Sequence, residues 1–159
     1  MSYFYPPKPP TLVTLAQVKF WGESLEQVIS CPLGRWHFWS FCSRQPRLFK
    51  YLTFYISVYE WKRSSDERIK QSKALIIHEE WFRYASKMHI SFDRPVLEKI
   101  YEKLKKNVVP RDVYDEAQQI VFEKMREISY PEYLRSPMYR ELLAILEKED
   151  EGKAVAMFP

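Results

Sequence analysis

The sequence is poor in the residues that tight turns between strands need. It has three glycines, Gly22, Gly34 and Gly152, and four of its eleven prolines lie within the first ten residues. Hairpins depend on glycine and other turn formers at fixed positions between alternating apolar segments. Because the rest of the chain has few such markers, we predict an all-α fold.

Cysteines, metal-ligand patterns and long apolar runs are also scarce. Cys31 and Cys42 are the only cysteines and fall among apolar residues, which predicts free structural thiols. The three histidines are scattered, and His78-Glu79-Glu80 lacks the second histidine of a zinc-protease helix, so we expect no metal and no cofactor. Without a signal sequence or an apolar run of about 18 residues, the protein is expected to be cytoplasmic, with membrane or cytoskeletal association only through partners.

Charge and carboxylate spacing argue against nucleic-acid binding and catalysis. The chain has 25 basic and 21 acidic residues, spread along its length, and Leu104 interrupts its longest basic stretch. Binding to a phosphate backbone needs several cations on one surface. The neighbouring Glu79 and Glu80 point about 100° apart on a helix and do not converge on one substrate atom. We therefore predict a protein that is not an enzyme and does not bind nucleic acid.

The helical signals divide the chain into three parts. Residues 1–20 are predicted to be a proline-rich N-terminal arm, residues 21–147 a helical domain, and residues 148–159 a flexible tail. Capping boxes are predicted at Ser24 and Ser64, the latter opening a long helix that runs to about Ser86. Predicted helices also begin at Pro46, Asp93, Asp112 and Ser136, and the expected inward faces include Ala85 and Ile145.

Five segments in order carry a resemblance to a known family, the RGS (regulator of G-protein signalling) domain. They are Ser24-Leu25-Glu26 with Pro32-Leu33-Gly34-Arg35, Leu52-Thr53-Phe54-Tyr55 with Glu60-Trp61-Lys62, Ser72-Lys73-Ala74 with Trp81-Phe82, Tyr114 to Gln118, and Ser129 to Ser136 with Tyr139 and Leu142. The resemblance spans Trp21 to Leu146 and implies an RGS-like multi-helix bundle. Most matching residues are core or turn positions.

The resemblance also implies a function and a surface. Domains of this family bind activated G-protein α subunits and accelerate GTP hydrolysis by holding the switch loops of the partner, without supplying a catalytic arginine. They use acidic and amide groups of the central helix, of the loop before the Tyr114 helix, and of the turn at Ser129. The corresponding candidates for partner binding here are Lys50, Tyr51, Asn107, Lys124, Ile128, Ser129 and Glu132.

Several of these positions depart from the family pattern. Lys50 and Tyr51 stand where a glutamate and an asparagine are usual, Ile128 replaces an acidic residue, and Glu132 replaces an arginine. Each lost charge-assisted contact is worth about 1.5–3 kcal/mol, and a reversed charge adds repulsion. The substitutions therefore argue against conventional GTPase-activating activity, and they leave open a different α subunit or a different partner altogether.

Two other functions remain open from the sequence. The domain is also compatible with a structural scaffold in a larger cytoskeletal or ciliary assembly, in which the fold is retained and the GTPase-activating function is not. A weaker alternative is a membrane-proximal module, with Lys103, Lys105, Lys106 and Arg111 facing anionic lipid.

Overall fold

Nine α-helices dominate the described part of the computed structural model, which covers residues 12–149 and 154–156. The all-α prediction is confirmed. The helices, with one π-helical segment at Met125–Ser129, are α1 Leu15–Trp21, α2 Leu25–Ser30, α3 Pro32–Ser43, α4 Pro46–Arg63, α5 Glu67–Trp81, α6 Arg94–Leu104, α7 Asp115–Lys124, α8 Tyr130–Arg135 and α9 Pro137–Lys148.

The chain forms two compact units. Among the described residues, unit 1 comprises residues 50–124, and unit 2 comprises residues 12–49, 125–149 and 154–156. The boundaries therefore fall inside α4 and directly after α7.

Unit 1 is built around aromatic side chains from α4, α5 and the start of α7. Phe54 makes edge contacts with Trp81 and Tyr114, at ring-centroid distances of 5.8 and 6.2 Å. The Tyr114 hydroxyl donates to the carbonyl oxygen of Ala74 in α5 over 2.5 Å. This hydrogen bond satisfies the polar end of an otherwise apolar cluster, so one side chain ties the entry of α7 to α5.

Unit 2 has a second aromatic cluster, centred on Tyr133 of α8. Its ring contacts Phe38 and Phe41 of α3 at 5.2 and 5.6 Å, and its hydroxyl lies 2.8 Å from Nδ1 of the buried His37. Gly34 brings α3 against Trp21 and the Val28 carbonyl, where a Cβ atom would lie 2.8 Å from the carbonyl oxygen. Close backbone approach is the reason for glycine at this position.

The N-terminal and C-terminal boundaries differ from the predicted ones. Strand β1, Leu12–Thr14, pairs antiparallel with β2, Ala154–Ala156, and α1 follows it. The assignment of residues 12–20 to an arm is therefore wrong, and the predicted flexible tail, residues 148–159, contains a strand at 154–156. A capping box between Thr14 and Gln17 opens α1. The predicted extension of residues 1–11 lies outside the described residues.

Several helix details also correct the prediction. Helix α5 is capped by Asp66, whose side chain accepts from the Arg68 and Ile69 amides. It ends at Trp81, which leaves Ala85 exposed beyond it. Ile145 is exposed because α9 instead buries Tyr139, Leu142 and Leu146.

Pro131 does not interrupt the helical path, because the π-helical segment leads directly into the first turn of α8. A proline is tolerated in a first helical turn, where its missing donor would have no partner. The start of α9 is as predicted: the Ser136 side chain accepts from the Tyr139 amide, and proline follows at the first helical position.

Candidate functional site

Lys50 and Tyr51 lie near the start of the central helix α4, and both are half-buried. The Lys50 ammonium donates to the carbonyl oxygen of His89 over 3.3 Å and lies 5.3 Å from the Tyr51 ring centroid. Neither the carbonyl oxygen nor the aromatic face is ionised, so neither contact offsets the positive charge of this lysine. The reversed charge predicted here is therefore fixed in position by the fold.

His89, the partner of Lys50, lies in a segment without any predicted site residue. His89 lies between α5 and α6, and its ring contacts that of Tyr84 at 5.5 Å. Tyr84 is 89% exposed, the largest exposure among the large hydrophobic side chains of the described residues. We call Lys50, Tyr51, Tyr84 and His89 the Lys50 surface. It offers one cation and exposed aromatic area, the combination that protein interfaces favour.

Backbone hydrogen bonds hold this α5–α6 segment in place. The Ile90 amide donates to the Trp81 carbonyl at 2.8 Å, and the Ser86 hydroxyl donates to the Glu80 carbonyl at 2.5 Å. The predicted helix to about Ser86 includes Tyr84, whereas the structure places this residue in the segment that follows α5. Ser86 was the available signal, because serine competes with helix geometry by bonding nearby backbone groups.

Asn107 and Lys124 are exposed members of unit 1. Asn107 lies in the segment after α6, where the next-but-one residue, Val109, donates its amide to the Gln71 side chain at 3.1 Å. Lys124 ends α7. Within the described residues, no hydrogen bond or ring contact joins either of them to the Lys50 surface. The structure thus brings Lys50 and Tyr51 together and leaves Asn107 and Lys124 apart from them.

Glu132 in unit 2 already has a partner. Both carboxylate oxygens of this α8 residue accept from the guanidinium of Arg47, one of them over 2.9 Å, and Arg47 also contacts Gln45. Hydrogen bonding from Arg47 lowers the pKa of Glu132 and raises that of Arg47. The acid that replaces the expected arginine is therefore neutralised by an arginine supplied from the start of α4.

Ser129 ends the π-helical segment and is completely buried. Its hydroxyl has no hydrogen-bond partner among the described residues. Ser129 is thus not exposed in this structure, and its role in partner binding stays a prediction. Ile128, its neighbour, is half-buried.

Buried ionisable groups elsewhere in unit 2 do not form a reactive site. Burial, with a smaller contribution from the charge of Arg44, lowers the pKa of His37 to about 4, so this ring is neutral at physiological pH. Burial also raises the pKa of the Cys42 thiol, which keeps it protonated and unreactive. Cys42 and the half-buried Cys31 are both free, as predicted.

The described residues contain no cluster of three or more histidine, cysteine or acidic side chains arranged to hold a metal ion. None of their helices has the length and apolar character needed to cross a membrane.

Comparison with known proteins gives one consistent result. The chain is 28% identical over 138 residues to regulator of G-protein signaling 20 of Homo sapiens, covering 86% of this chain and 34% of that protein. It is 30% identical over 127 residues to regulator of G-protein signaling 19 of Rattus norvegicus, covering 80% of this chain and 57% of that protein. It is 28% identical over 145 residues to regulator of G-protein signaling 7 of Rattus norvegicus, covering 90% of this chain and 28% of that protein. The chain thus spans only between about a quarter and three fifths of these relatives.

The sequence model of one family also matches the chain. Its description is "Regulator of G protein signaling domain", and the match covers residues 24–142, well over half of the chain. It includes the helices from α2 to α8 and the first half of α9, and therefore the segments on which the predicted resemblance rests. The chain belongs to the family of regulator of G-protein signalling (RGS) domains.

Proposed function

We propose that this chain is a protein-interaction module that binds a G-protein α subunit and modulates its GTPase cycle, while accelerating GTP hydrolysis only weakly. The names of its relatives, all regulators of G-protein signaling, support the partner class. The observation that carries the proposal is the Lys50 surface, an ordered arrangement of a cation and tyrosines on the central helix and the α5–α6 segment.

Weak acceleration follows from what the candidate residues offer. Holding switch loops in their reactive geometry needs contacts made more strongly in the transition state than before it. Lys50 offers a cation in place of a carboxylate, the Ser129 hydroxyl is enclosed, and the Glu132 carboxylate is occupied by Arg47. Losing one charge-assisted hydrogen bond costs about 1.5–3 kcal/mol, or at least tenfold in affinity. These three changes together therefore remove most of the binding energy expected for the switch loops.

Binding to a panel of α subunits tests the proposal. Each subunit is loaded with GDP alone or with GDP and aluminium fluoride, which mimics the transferring phosphate. We expect at least one subunit to bind, with preference for the fluoride form, and single-turnover hydrolysis to rise by less than about tenfold. Binding to no subunit would overturn the proposal. Strong acceleration of GTP hydrolysis would overturn the claim that the chain accelerates it only weakly.

A charge reversal at position 50 tests the weak acceleration directly. Lys50→Glu restores the carboxylate that is usual at this position of the family and should raise α-subunit binding about tenfold, because the repulsion of the reversed charge is removed. Lys73→Glu is the control, since Lys73 is an exposed cation of α5 that is not among the candidate residues. Equal gains in the two variants would show that net charge, and not Lys50, governs binding.

A structural scaffold without GTPase-activating function is the second candidate. The observation that favours it is the pairing of Glu132 with Arg47, because side chains that are already paired are less available to an α subunit. Failure of the whole panel, in both nucleotide states, is the result that this candidate predicts.

A further inference from the structure

Helix α5 carries apolar surface outside the face that it packs into unit 1. The side chains that it buries are those of Ala74, Ile77 and Trp81. Three other aliphatic side chains of this helix are about half exposed, at 45%, 50% and 44%: Ile69, Leu75 and Ile76. Exposed aliphatic side chains are ordinary when they occur singly. Three of them on one helix of 15 residues require an explanation.

These side chains form one continuous outer face. Ile69 and Ile76 are two turns apart and therefore lie on the same side of the helix, with the exposed Ser72 between them. Leu75 lies beside Ile76. The Ser72 hydroxyl donates to the Ile69 carbonyl over 3.0 Å, so its donor is already satisfied when another surface covers it. We call Ile69, Ser72, Leu75 and Ile76 the α5 face.

Charges of opposite sign lie at the two ends of the α5 face. Arg68 is in the first turn of the helix and Glu79 is in the last turn, and both are exposed. This order is the reverse of what the helix dipole favours, so the stability of the helix does not account for it. Glu79 pairs with Arg83 at 3.5 Å, but both side chains are 66% exposed, which leaves the carboxylate accessible.

We infer that the α5 face binds the α5 face of a second copy of this chain, as an antiparallel pair of helices. A two-fold axis midway between Ser72 and Ile76 sets each Ile76 against the small Ser72 of the other copy, which allows the helices to approach closely. Because Arg68 and Glu79 are almost equally far from this midpoint, the same axis brings each Arg68 close to Glu79 of the other copy. The antiparallel arrangement also opposes the two helix dipoles favourably.

Charge complementarity selects a second copy as the occupant. One end of the α5 face is basic and the other is acidic, so the face matches itself after a half turn, which is the requirement of a two-fold interface. An anionic lipid surface would repel Glu79, and a partner of one charge sign would be repelled by one of the two ends. None of these residues belongs to the proposed α-subunit surface, so the inference goes beyond the proposed function.

The size of the α5 face limits the affinity of the pair. The stretch from Ile69 to Glu79 is about 15 Å long on a helix. Such a contact buries less than the roughly 1,200 Å² at which stable complexes begin. We therefore expect a weak dimer, with a Kd on the order of 100 µM.

Sedimentation equilibrium of the whole chain tests the inference. Samples from about 10 to about 500 µM bracket the expected Kd. We expect the average mass to rise with concentration towards twice the mass of one chain, as mass action requires. A chain that stays monomeric at the highest concentration would overturn the inference and leave the α5 face to a different protein.

Matched isoleucine variants locate the contact. Ile76→Asn should weaken self-association about tenfold or more, because a two-fold interface contains the substitution twice. Ile145→Asn is the control, since Ile145 is also an exposed isoleucine of a helix, 53% exposed on α9. The control should leave the Kd unchanged. Equal losses in the two variants would overturn the assignment to the α5 face.

Charge variants test the antiparallel arrangement. Arg68→Glu makes the α5 face acidic at both ends, and Glu79→Lys makes it basic at both ends. Each variant alone should self-associate at least about tenfold more weakly than the wild-type chain, because like charges then meet twice. An equimolar mixture of the two should associate as the wild type does, since every end meets the opposite charge. A mixture as weak as its separate components would overturn the antiparallel arrangement.

Recovery in the mixture also excludes misfolding as the cause of the losses, because two damaged chains do not repair each other. The same variants separate this inference from the proposed function. Ile76→Asn should leave α-subunit binding unchanged, and Lys50→Glu should leave the Kd of self-association unchanged. An α-subunit panel without binding would therefore leave the dimer standing, and a monomeric chain would leave the α-subunit result standing.

Discussion

The central tyrosine and the candidate charged residue of one unit meet a different kind of partner from those of the other unit. In unit 1 the Tyr114 hydroxyl and the Lys50 ammonium both donate to backbone carbonyl oxygens. In unit 2 the Tyr133 hydroxyl meets the titratable His37 ring, and the Arg47 guanidinium meets the Glu132 carboxylate. Backbone acceptors neither ionise nor cancel a charge, whereas ionisable side chains do both. The contrast predicts that acid acts mainly on unit 2, and that a neighbouring carboxylate offsets the charge of Arg47 while no ionised partner offsets that of Lys50.

Acid should produce the largest effect, through His37. The pKa of this histidine is about 4 in the folded chain against 6.5 for an ordinary histidine, so the unfolded chain binds more protons between these values. Its contribution to stability is therefore complete above pH 6.5 and is lost as the pH falls towards 4. The loss amounts to about 3 kcal/mol.

Urea unfolding across this pH range measures the loss. Carboxylates also contribute to acid unfolding, so the test is the difference between the wild-type chain and His37→Gln, whose amide can still bond the Tyr133 hydroxyl. The variant should show a flatter dependence of unfolding free energy on pH. His78→Gln is the matched control in unit 1, where burial lowers the pKa of a half-exposed ring, and it should flatten the curve less. Parallel curves for wild type and His37→Gln would remove His37 as the cause.

Tyr114→Phe should have a smaller effect that does not change with pH. It removes the hydroxyl that donates to the Ala74 carbonyl and keeps the ring contacts with Phe54 and Trp61. We expect a loss of about 1 kcal/mol, the usual net value of such a hydrogen bond. The loss should be equal at pH 5 and pH 8 in urea unfolding, since neither partner ionises there. Tyr101→Phe, on an exposed ring, is the control, and a strongly pH-dependent loss for Tyr114→Phe would break the comparison.

Local sequence signals were sufficient for much of the fold. Ser136-Pro137 identified the start of α9 because a cap oxygen and a proline act within one turn. The buried face of α9 could not be predicted from local signals alone. An apolar stripe through Leu142 can continue through Ile145 or through Tyr139 and Leu146. The hydrogen bond from the Tyr139 hydroxyl to the Val18 carbonyl favours the face with Tyr139 and Leu146. That contact joins residues 121 positions apart and leaves no local signal.

The candidate surface was predictable only in part, for the same reason. Lys50 and Tyr51 were found because they depart from a family pattern. Their companion His89 is 39 positions away from Lys50, and Arg47 is 85 positions away from Glu132. Charges read one by one therefore suggested two reversals, at positions 50 and 132. The structure retains the first and pairs the second within unit 2.

The Arg47–Glu132 pair should give the smallest stability effect of the three. The two side chains are 58% and 29% exposed, and exposed pairs are screened by water and salt. We expect Arg47→Met and Glu132→Gln, alone and together, to leave the urea midpoint of unfolding nearly unchanged.

The exchanged double variant, Arg47→Glu with Glu132→Arg, tests whether the pair cancels charge or supports α8. It keeps a pair of opposite charges and should match the wild type in urea unfolding at low and high salt. Glu132→Arg alone sets two guanidinium groups beside each other, and this local repulsion should fade as salt rises. A coupling between the two residues as large as the Tyr114→Phe loss would mean that the pair supports α8. Glu132 would then be kept for the fold, and its departure from the family pattern would lose its bearing on partner choice.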